Sequence, residues 1–295
     1  MNKDNVTVIV TGGYGHIGSY VIEHLCKTLT NSTIVCVDNM YNGKQTNLDD
    51  AFHIANKRDN IIVIMETDVS NSYKMEKIFS RFKPTYVFHQ ASMLTLDSKL
   101  YRHQAVKVNI CGMSIILDMC VKYNVEKLVY ASSASVYGTP KKFPTKESHD
   151  FDNCKLLYGA TKVADEYLAR SYADEEGLKF VGLRYFNVYG ERQSDAGVYT
   201  QIVPKWIKAI KEGSPIKIYG DGSQTMDMIH GDDVGLANVQ AMFYENKSEI
   251  IYDDHDPNLV SRRKGDNSLM IKHLGRYTIS IPQGIKRTVK GLLNG

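Results

Sequence analysis

The chain has 295 residues, 43% of them apolar and 23% charged, with a formal net charge of +3. That composition suits one large α/β domain or two modest ones with a sizeable buried core. The charge is too small to argue for a nucleic-acid partner, and it is uneven. Residues 261–295 hold Arg262, Arg263, Lys264, Lys272, Arg276, Lys286, Arg287 and Lys290 against a single acid, Asp266. This reads as a solvated basic surface, a few of whose cations are free to meet a substrate phosphate. Cys26, Cys36, Cys111, Cys120 and Cys154 form no CxxC pair and no metal-ligand spacing; Cys26, Cys111 and Cys120 in helical patterns and Cys36 in a strand pattern point to buried free thiols. No metal site is expected. The polar start, Met1–Asn5, and the lack of an uninterrupted bilayer-length apolar run lead to the expectation of a cytoplasmic protein with no membrane partner.

In chain order, Val6–Val10 is an apolar run that leads at once into the glycine-rich stretch "TGGYGHIG". A helical pattern follows, with Ile17, Val21, Ile22 and Leu25 on one face. Further apolar runs at Ile34–Val37, Ile61–Met65, Tyr86–Phe88, Leu128–Ala131 and Phe180–Leu183 alternate with helical patterns near 72–82, 101–123 and 158–174. Strands that are apolar throughout, alternating with helices, predict a Rossmann-type doubly wound parallel sheet covered on both faces. Beyond residue 190 the rhythm breaks into small elements separated by Gly, Pro and Asp, with a helix at 203–211. The expected organisation is a dinucleotide-binding domain at 1–190 and a smaller, trimmed substrate-binding lobe at 191–295, with elements free to interleave.

The glycine stretch fits two patterns, GxGxxG through Gly13, Gly15 and Gly18, and GxxGxxG through Gly12, Gly15 and Gly18. Either lets backbone approach a pyrophosphate at an amide-rich helix N-terminus. Asp38 closes the second strand twenty residues beyond Gly18. A carboxylate there accepts hydrogen bonds from an adenosine ribose and repels a 2′-phosphate, which favours NAD over NADP. A second constellation is "YGATK", which sets Tyr158 and Lys162 four apart on one helix face. Upstream, "ASSASVYG" ends a strand with Ser132 and Ser133, at the sheet edge where ligands of such folds bind.

With these motifs in order, the chain resembles the extended short-chain dehydrogenase/reductase superfamily. Within it, the likeness is strongest to NAD-dependent nucleotide-sugar epimerases and dehydratases of the UDP-glucose or UDP-N-acetylglucosamine 4-epimerase type. "VDN", "TDV", "HQAS", "LRYFNVYG", "GDGSQT" and "RRKGD" extend the likeness. It implies that the glycine turn is used as GxxGxxG, with Gly12, Gly15 and Gly18 in its three places. It also implies that His16 and Ile17 face the pyrophosphate, and that Asp38, Asn39, Asn42 and Gly43 take the adenosine ribose side. Asp68 and Val69 would flank the adenine, Gln90, Ala91 and Ser92 would line the cleft, Asn109 would brace it, and Phe186 would pack near the nicotinamide. Asn187 and Arg263 would bind the sugar diphosphate, and Ile218 and Tyr219 the nucleotide base. His89 reads instead as a structural histidine.

The implied chemistry is inversion of a sugar C4 hydroxyl through a transient 4-keto intermediate, with no net redox change. Tyr158 would act as base, Ser133 would help to pass the proton, and Lys162 would tune the phenol and hold the nicotinamide ribose. An unperturbed phenol is too weakly acidic to serve as a base at neutral pH, and a neighbouring ammonium favours its ionised form. Two departures stand out. Met226 occupies the place of an arginine in "QTRD", a lost contact of about 1.5–3 kcal/mol. The segment after Met242 is also shortened. A dehydratase, the first alternative, normally needs an Asp-Glu pair where Ala134 and Ser135 stand; a non-catalytic NAD sensor is the second. Helices near 101–123 and 158–174 carry apolar residues on several faces, and the resemblance implies a homodimer paired through them as a four-helix bundle.

Overall fold

The computed structural model describes residues 3–151, 154–194, 202–218, 221, 223, 225, 227–245, 249–252, 266–275 and 278–294. Seven parallel strands form one sheet: β1 (Thr7–Thr11), β2 (Thr33–Asp38), β3 (Ile61–Glu66), β4 (Tyr86–His89), β5 (Lys127–Ser133), β6 (Phe180–Tyr185) and β7 (Glu249–Tyr252). Their order is β7-β6-β5-β4-β1-β2-β3. The fold is therefore of Rossmann type, with the strand order reversing beside β1. β1, β2, β4, β5 and β6 are buried along most of their length because Val, Ile, Phe and Tyr occupy both faces. A strand sandwiched between helix layers needs apolar side chains on each side.

Helices α1 (His16–Thr28), α2 (Asp49–Asn56), α3 (Ser72–Phe82), α4 (Arg102–Lys122) and α5 (Leu157–Glu176) supply the crossovers. The core has two main halves. On one face Val21, Ile22 and Leu25 of α1 pack with Val8, Val10, Ile34 and Cys36. On the other, Met75, Ile78 and Phe79 of α3 and Met113, Ile116 and Leu117 of α4 pack with Ile9, Val35 and Val87. α4 is long and apolar enough to cross a membrane by length and composition, a property masked in the sequence by Lys107, Asn109 and Asp118. Half of its apolar window is buried against this core.

Later elements return to the sheet. After α6 (Ile202–Lys211), α7 (Gly231–Met242) packs against α1, and β7 pairs with β6 from Glu249↔Val181 to Tyr252↔Arg184. Helices α8 (Ser268–Leu274) and α9 (Ile281–Asn294) follow, the first against α7 and β7, the second against α6. Cys26, Cys36 and Cys120 are buried as expected, whereas Cys111 is exposed and Cys154 half-buried. The helical period at 101–123 slips at a π-turn over Val106–Cys111, which turns Cys111 outward.

One buried ion pair ties the α5 layer to the sheet. Arg184 of β6 donates to Glu166 of α5 from Nε at 2.7 Å and Nη2 at 2.8 Å, and Ser132 adds a third bond at 2.5 Å. The guanidinium also lies over the rings of Tyr137 and Phe151. Removing one partner leaves a charge stranded in the interior. Glu166→Ala should therefore cost about 3–5 kcal/mol in urea unfolding, while Glu166→Leu with Arg184→Met should recover most of that loss.

Candidate active site

The site begins at the turn between β1 and α1. Gly12 has φ +67, and a Cβ there would sit 2.7 Å from the Ala91 backbone nitrogen. A Cβ on Gly18 would lie 2.1 Å from the Gly12 carbonyl oxygen, so the first turn of α1 rests directly on the loop. Gly13 instead packs on the Cys36 sulfur, as a core contact. Of the two patterns, the structure thus uses Gly12, Gly15 and Gly18 for the close backbone approach. α1 starts with Gly15 as its N-cap, with no side-chain cap and no acid in its first turn. Its leading amides remain available to an anion.

A cavity of about 530 Å³ opens over this loop. Of the residues expected from the sequence, Gly12, Gly15, Asp38, Asn39, Asn42, Gly43, Val69, Gln90, Ala91 and Ser92 form its wall. Asp38 stands at the end of β2, where its two oxygens accept from Tyr14 N at 3.0 Å and Met40 N at 2.8 Å. Burial pushes its carboxyl up, against the pull of these backbone bonds. Met40, beside it, is held at φ +60, an unusual conformation for a non-glycine residue. Asn39 donates to Asp68 at 2.8 Å. Burial works against the charge of Asp68, yet hydrogen bonds from Ser70 and Asn39 outweigh it and hold that carboxyl below its ordinary value.

The sequence did not assign Tyr41, Met93, Tyr101, Gln104 and Val108 to the site; with Val37 and the Thr67 of "TDV" they complete the wall. Tyr101 and Gln104 flank the start of α4, and only their spacing to Val108, one helical face, hinted at them.

Asn109 lies in the π-turn of α4, behind the cavity. Its side chain accepts from Met93 N at 2.8 Å and Ser92 Oγ at 3.2 Å, and donates to Thr161 Oγ1 at 3.0 Å. It therefore ties the 92–93 loop to α5 between Tyr158 and Lys162. Gln90 is fixed in turn by Asn238 at 3.1 Å and by the Tyr185 hydroxyl at 2.9 Å. Ser133 ends β5 and accepts from Ser135 N at 3.1 Å, which leaves its own hydroxyl proton free to be donated elsewhere. Tyr158 is half-buried in the first turn of α5, and Lys162 one turn on is buried. Burial drives the Lys162 ammonium down, but Asp165 and Tyr158 beside it leave its pKa raised.

Other expected residues lie off the cavity wall. His16 is half-buried, with its ring against Tyr20 and its Nε2 enclosed, and desolvation, with His230 nearby, lowers it to about 3. Ile17 packs on the core. His89 is bonded to Thr11 at 2.7 Å and lowered by burial to about 3, and its Nε2 is buried with no hydrogen-bond partner among the described residues. Phe186 is buried against Tyr137. Asn187 opens a short strand, Asn187–Tyr189, paired with Met228–His230, and its buried Nδ2 has no partner among the described residues. Ile218 is exposed, while Tyr219, Met226 and Arg263 lie outside the described residues. Among the described residues no cluster of side chains fits a metal ion.

A family model described as the NAD dependent epimerase/dehydratase family matches residues 8–252. The chain belongs to that family. A UDP-N-acetyl-alpha-D-glucosaminuronate decarboxylase from Bacillus cytotoxicus is 31% identical over 256 residues, 82% of this chain and 73% of that protein. A UDP-glucose 4-epimerase from Drosophila melanogaster is 29% identical over 257 residues, covering 80% and 72%. Among solved structures, a UDP-glucose 4-epimerase from Thermotoga maritima with UDP-glucose superposes with a TM-score of 0.86. It is 28% identical, over 98% of this chain and 99% of that one.

The cradle at Gly12, the uncapped α1 terminus and the Asp38 carboxylate together fit the pyrophosphate and ribose of the family's NAD. Gly12→Ala both strains the turn and fills the cradle. It should weaken NAD binding at least about tenfold by calorimetry, with the far-ultraviolet dichroism unchanged. Asp38→Asn should narrow the preference for NAD over NADP in the same assay, because it removes the charge that repels a 2′-phosphate.

Proposed function

We propose that the protein is a nucleotide-sugar 4-epimerase that inverts the C4 hydroxyl of a nucleoside-diphosphate hexose. The observation that carries this reading is the combination of Ser133, Tyr158 and Lys162 with a turn that holds no carboxylate. After Ser133 the chain makes a 3-10 turn, Ala134–Tyr137. A dehydratase or a decarboxylase would be expected to supply acid or base groups from this turn. Alanine and serine supply none.

The residues have separable tasks. Tyr158 accepts the proton of the C4 hydroxyl, and Ser133 hydrogen-bonds the same oxygen and relays that proton. Lys162 favours the ionised phenol electrostatically and holds the nicotinamide ribose. Asn109 keeps the 92–93 loop in register with α5, so that cofactor wall and base stay aligned. The Asn187 amide, without a partner among the described residues, supports a role in binding the sugar diphosphate. When bound, NAD supplies the two-electron oxidation of C4 and its reversal on the opposite face, which leaves no net redox change.

The deciding experiment incubates the protein with a panel of nucleotide sugars and follows the products by NMR and mass. A stereoisomer of unchanged mass supports the reading. Loss of water or of carbon dioxide replaces it with the dehydratase or decarboxylase reading, and NAD binding with no turnover of any donor replaces it with a sensor. Tyr158→Phe should lower kcat by about a thousandfold or more and leave NAD affinity within a few-fold.

We also infer a homodimer. Leu100, the last residue of a short helix Thr95–Leu100, Tyr101 just before α4, Val106 in α4 and Tyr167 of α5 are exposed, and these helices pack together. That apolar surface supports pairing of α4 and α5 across a two-fold axis. Light scattering at micromolar concentration should give twice the chain mass.

A further inference from the structure

Lys162 has a second acid behind it. Asp165 lies three residues further along α5, with Oδ2 3.1 Å from the Lys162 Nζ. Its side chain is 1% exposed, and that of Lys162 2%. The other carboxylate oxygen, Oδ1, is buried with no hydrogen-bond partner among the described residues. On a helix surface an acid and a lysine at this spacing are an ordinary pair of little consequence. In the interior the same pair must be desolvated, and a half-satisfied carboxylate makes the cost larger. The fold gains nothing evident from Asp165, so its effect on Lys162 needs an account.

An ammonium has three N–H donors. One of those on Lys162 goes to the Ala131 carbonyl at 3.0 Å, two residues before Ser133 on β5, and one to Asp165. Two acceptors fixed on different elements define the direction of the third. We propose that Asp165 is a positioning residue: its carboxylate pins the Lys162 ammonium against β5, so that the remaining donor is presented to the nicotinamide ribose of bound NAD and to Tyr158. This rests on the reading of Lys162 given under Proposed function.

The charged and titratable groups facing the pair come from α5 and two strands: Tyr158 and Glu166 of α5, Tyr130 of β5 and the neutral His89 of β4. One step further out, Arg170 of α5 and Arg184 of β6 act on Tyr130, and Arg184 is engaged with Glu166. Burial, with the Glu166 charge adding to it, pushes the Asp165 carboxyl up to about 6 against the pull of Lys162. Asp165 is therefore ionised at neutral pH. As the pH falls through about 6 it takes up a proton, and the charge-assisted bond that holds the ammonium weakens to a neutral one.

The test measures NAD affinity of the full chain by calorimetry at pH 8 and pH 5.5, for the wild type, Asp165→Asn, Lys162→Met and the double variant. Asp165→Asn should bind NAD about tenfold more weakly than the wild type at pH 8. The wild type should lose about threefold on going to pH 5.5, where roughly a quarter of the Asp165 carboxyl stays ionised, a step that Asp165→Asn lacks. In the Lys162→Met background Asp165→Asn should cause no further loss, because the aspartate acts through the lysine. Additive losses, an unchanged affinity at pH 8, or the same pH step in Asp165→Asn would overturn the proposal. Should Asp165→Asn not fold, the comparison of wild type with Lys162→Met decides: the step must vanish with the lysine. None of these measurements needs a sugar substrate, so failure to find one would leave this test standing.

Discussion

The site depends on a place where backbone meets backbone with no room for a side chain. The Gly12 carbonyl lies where a Cβ of Gly18 would have to be, and Gly12 itself is pressed against the amide of Ala91. These contacts bring the ends of β1 and β4 and the start of α1 into one corner. Every other element of the cofactor wall is placed relative to that corner. Asp38 reaches the Tyr14 amide across it, and Thr11 bonds His89 beneath it. Helix dipole, free amides and carboxylate then act on the same small volume without any metal or charged side chain in the turn.

The second half of the site is built differently, from side chains on α5 and the end of β5. Its alignment with the glycine corner relies on polar bridges of long sequence separation. Asn109 joins the 92–93 loop to Thr161, and Gln90 is locked by Tyr185 and Asn238. A π-turn carries Asn109, and the extra residue in that turn re-aims the face of α4. The irregular turn thus sits where the cavity wall meets α5.

The fold was largely legible because continuous apolar runs alternating with 3.6-period helices leave few other arrangements. The glycine corner was legible too, since residue type and spacing are nearly the whole mechanism there. β7 was not foreseen: Ile250–Tyr252 is too short an apolar run, beside "DDHDP", to announce a strand without its partner β6. Neither was the Arg184–Glu166 pair, because nothing local tells a buried ion pair from two surface charges. The same applies to Asp165, which by spacing looks like an exposed partner of Lys162. Cys111 was expected inside on helical period, and the π-turn moved it out. His16 was expected at the pyrophosphate on motif position; its backbone opens α1, while its ring fits between Tyr20 and the Gly190 and Gly231 backbones.

The return of the chain to its own sheet has a consequence for how the molecule can be divided. α7 covers α1, and β7 saturates the outer edge of β6, although both lie after the break in rhythm at residue 190. A polypeptide stopped at that point would present a naked row of amides and carbonyls on β6 and an uncovered apolar stripe on α1, both open to self-association. The nucleotide-binding half is thus completed by segments that follow the break, and synthesis must pass residue 252 before it can close.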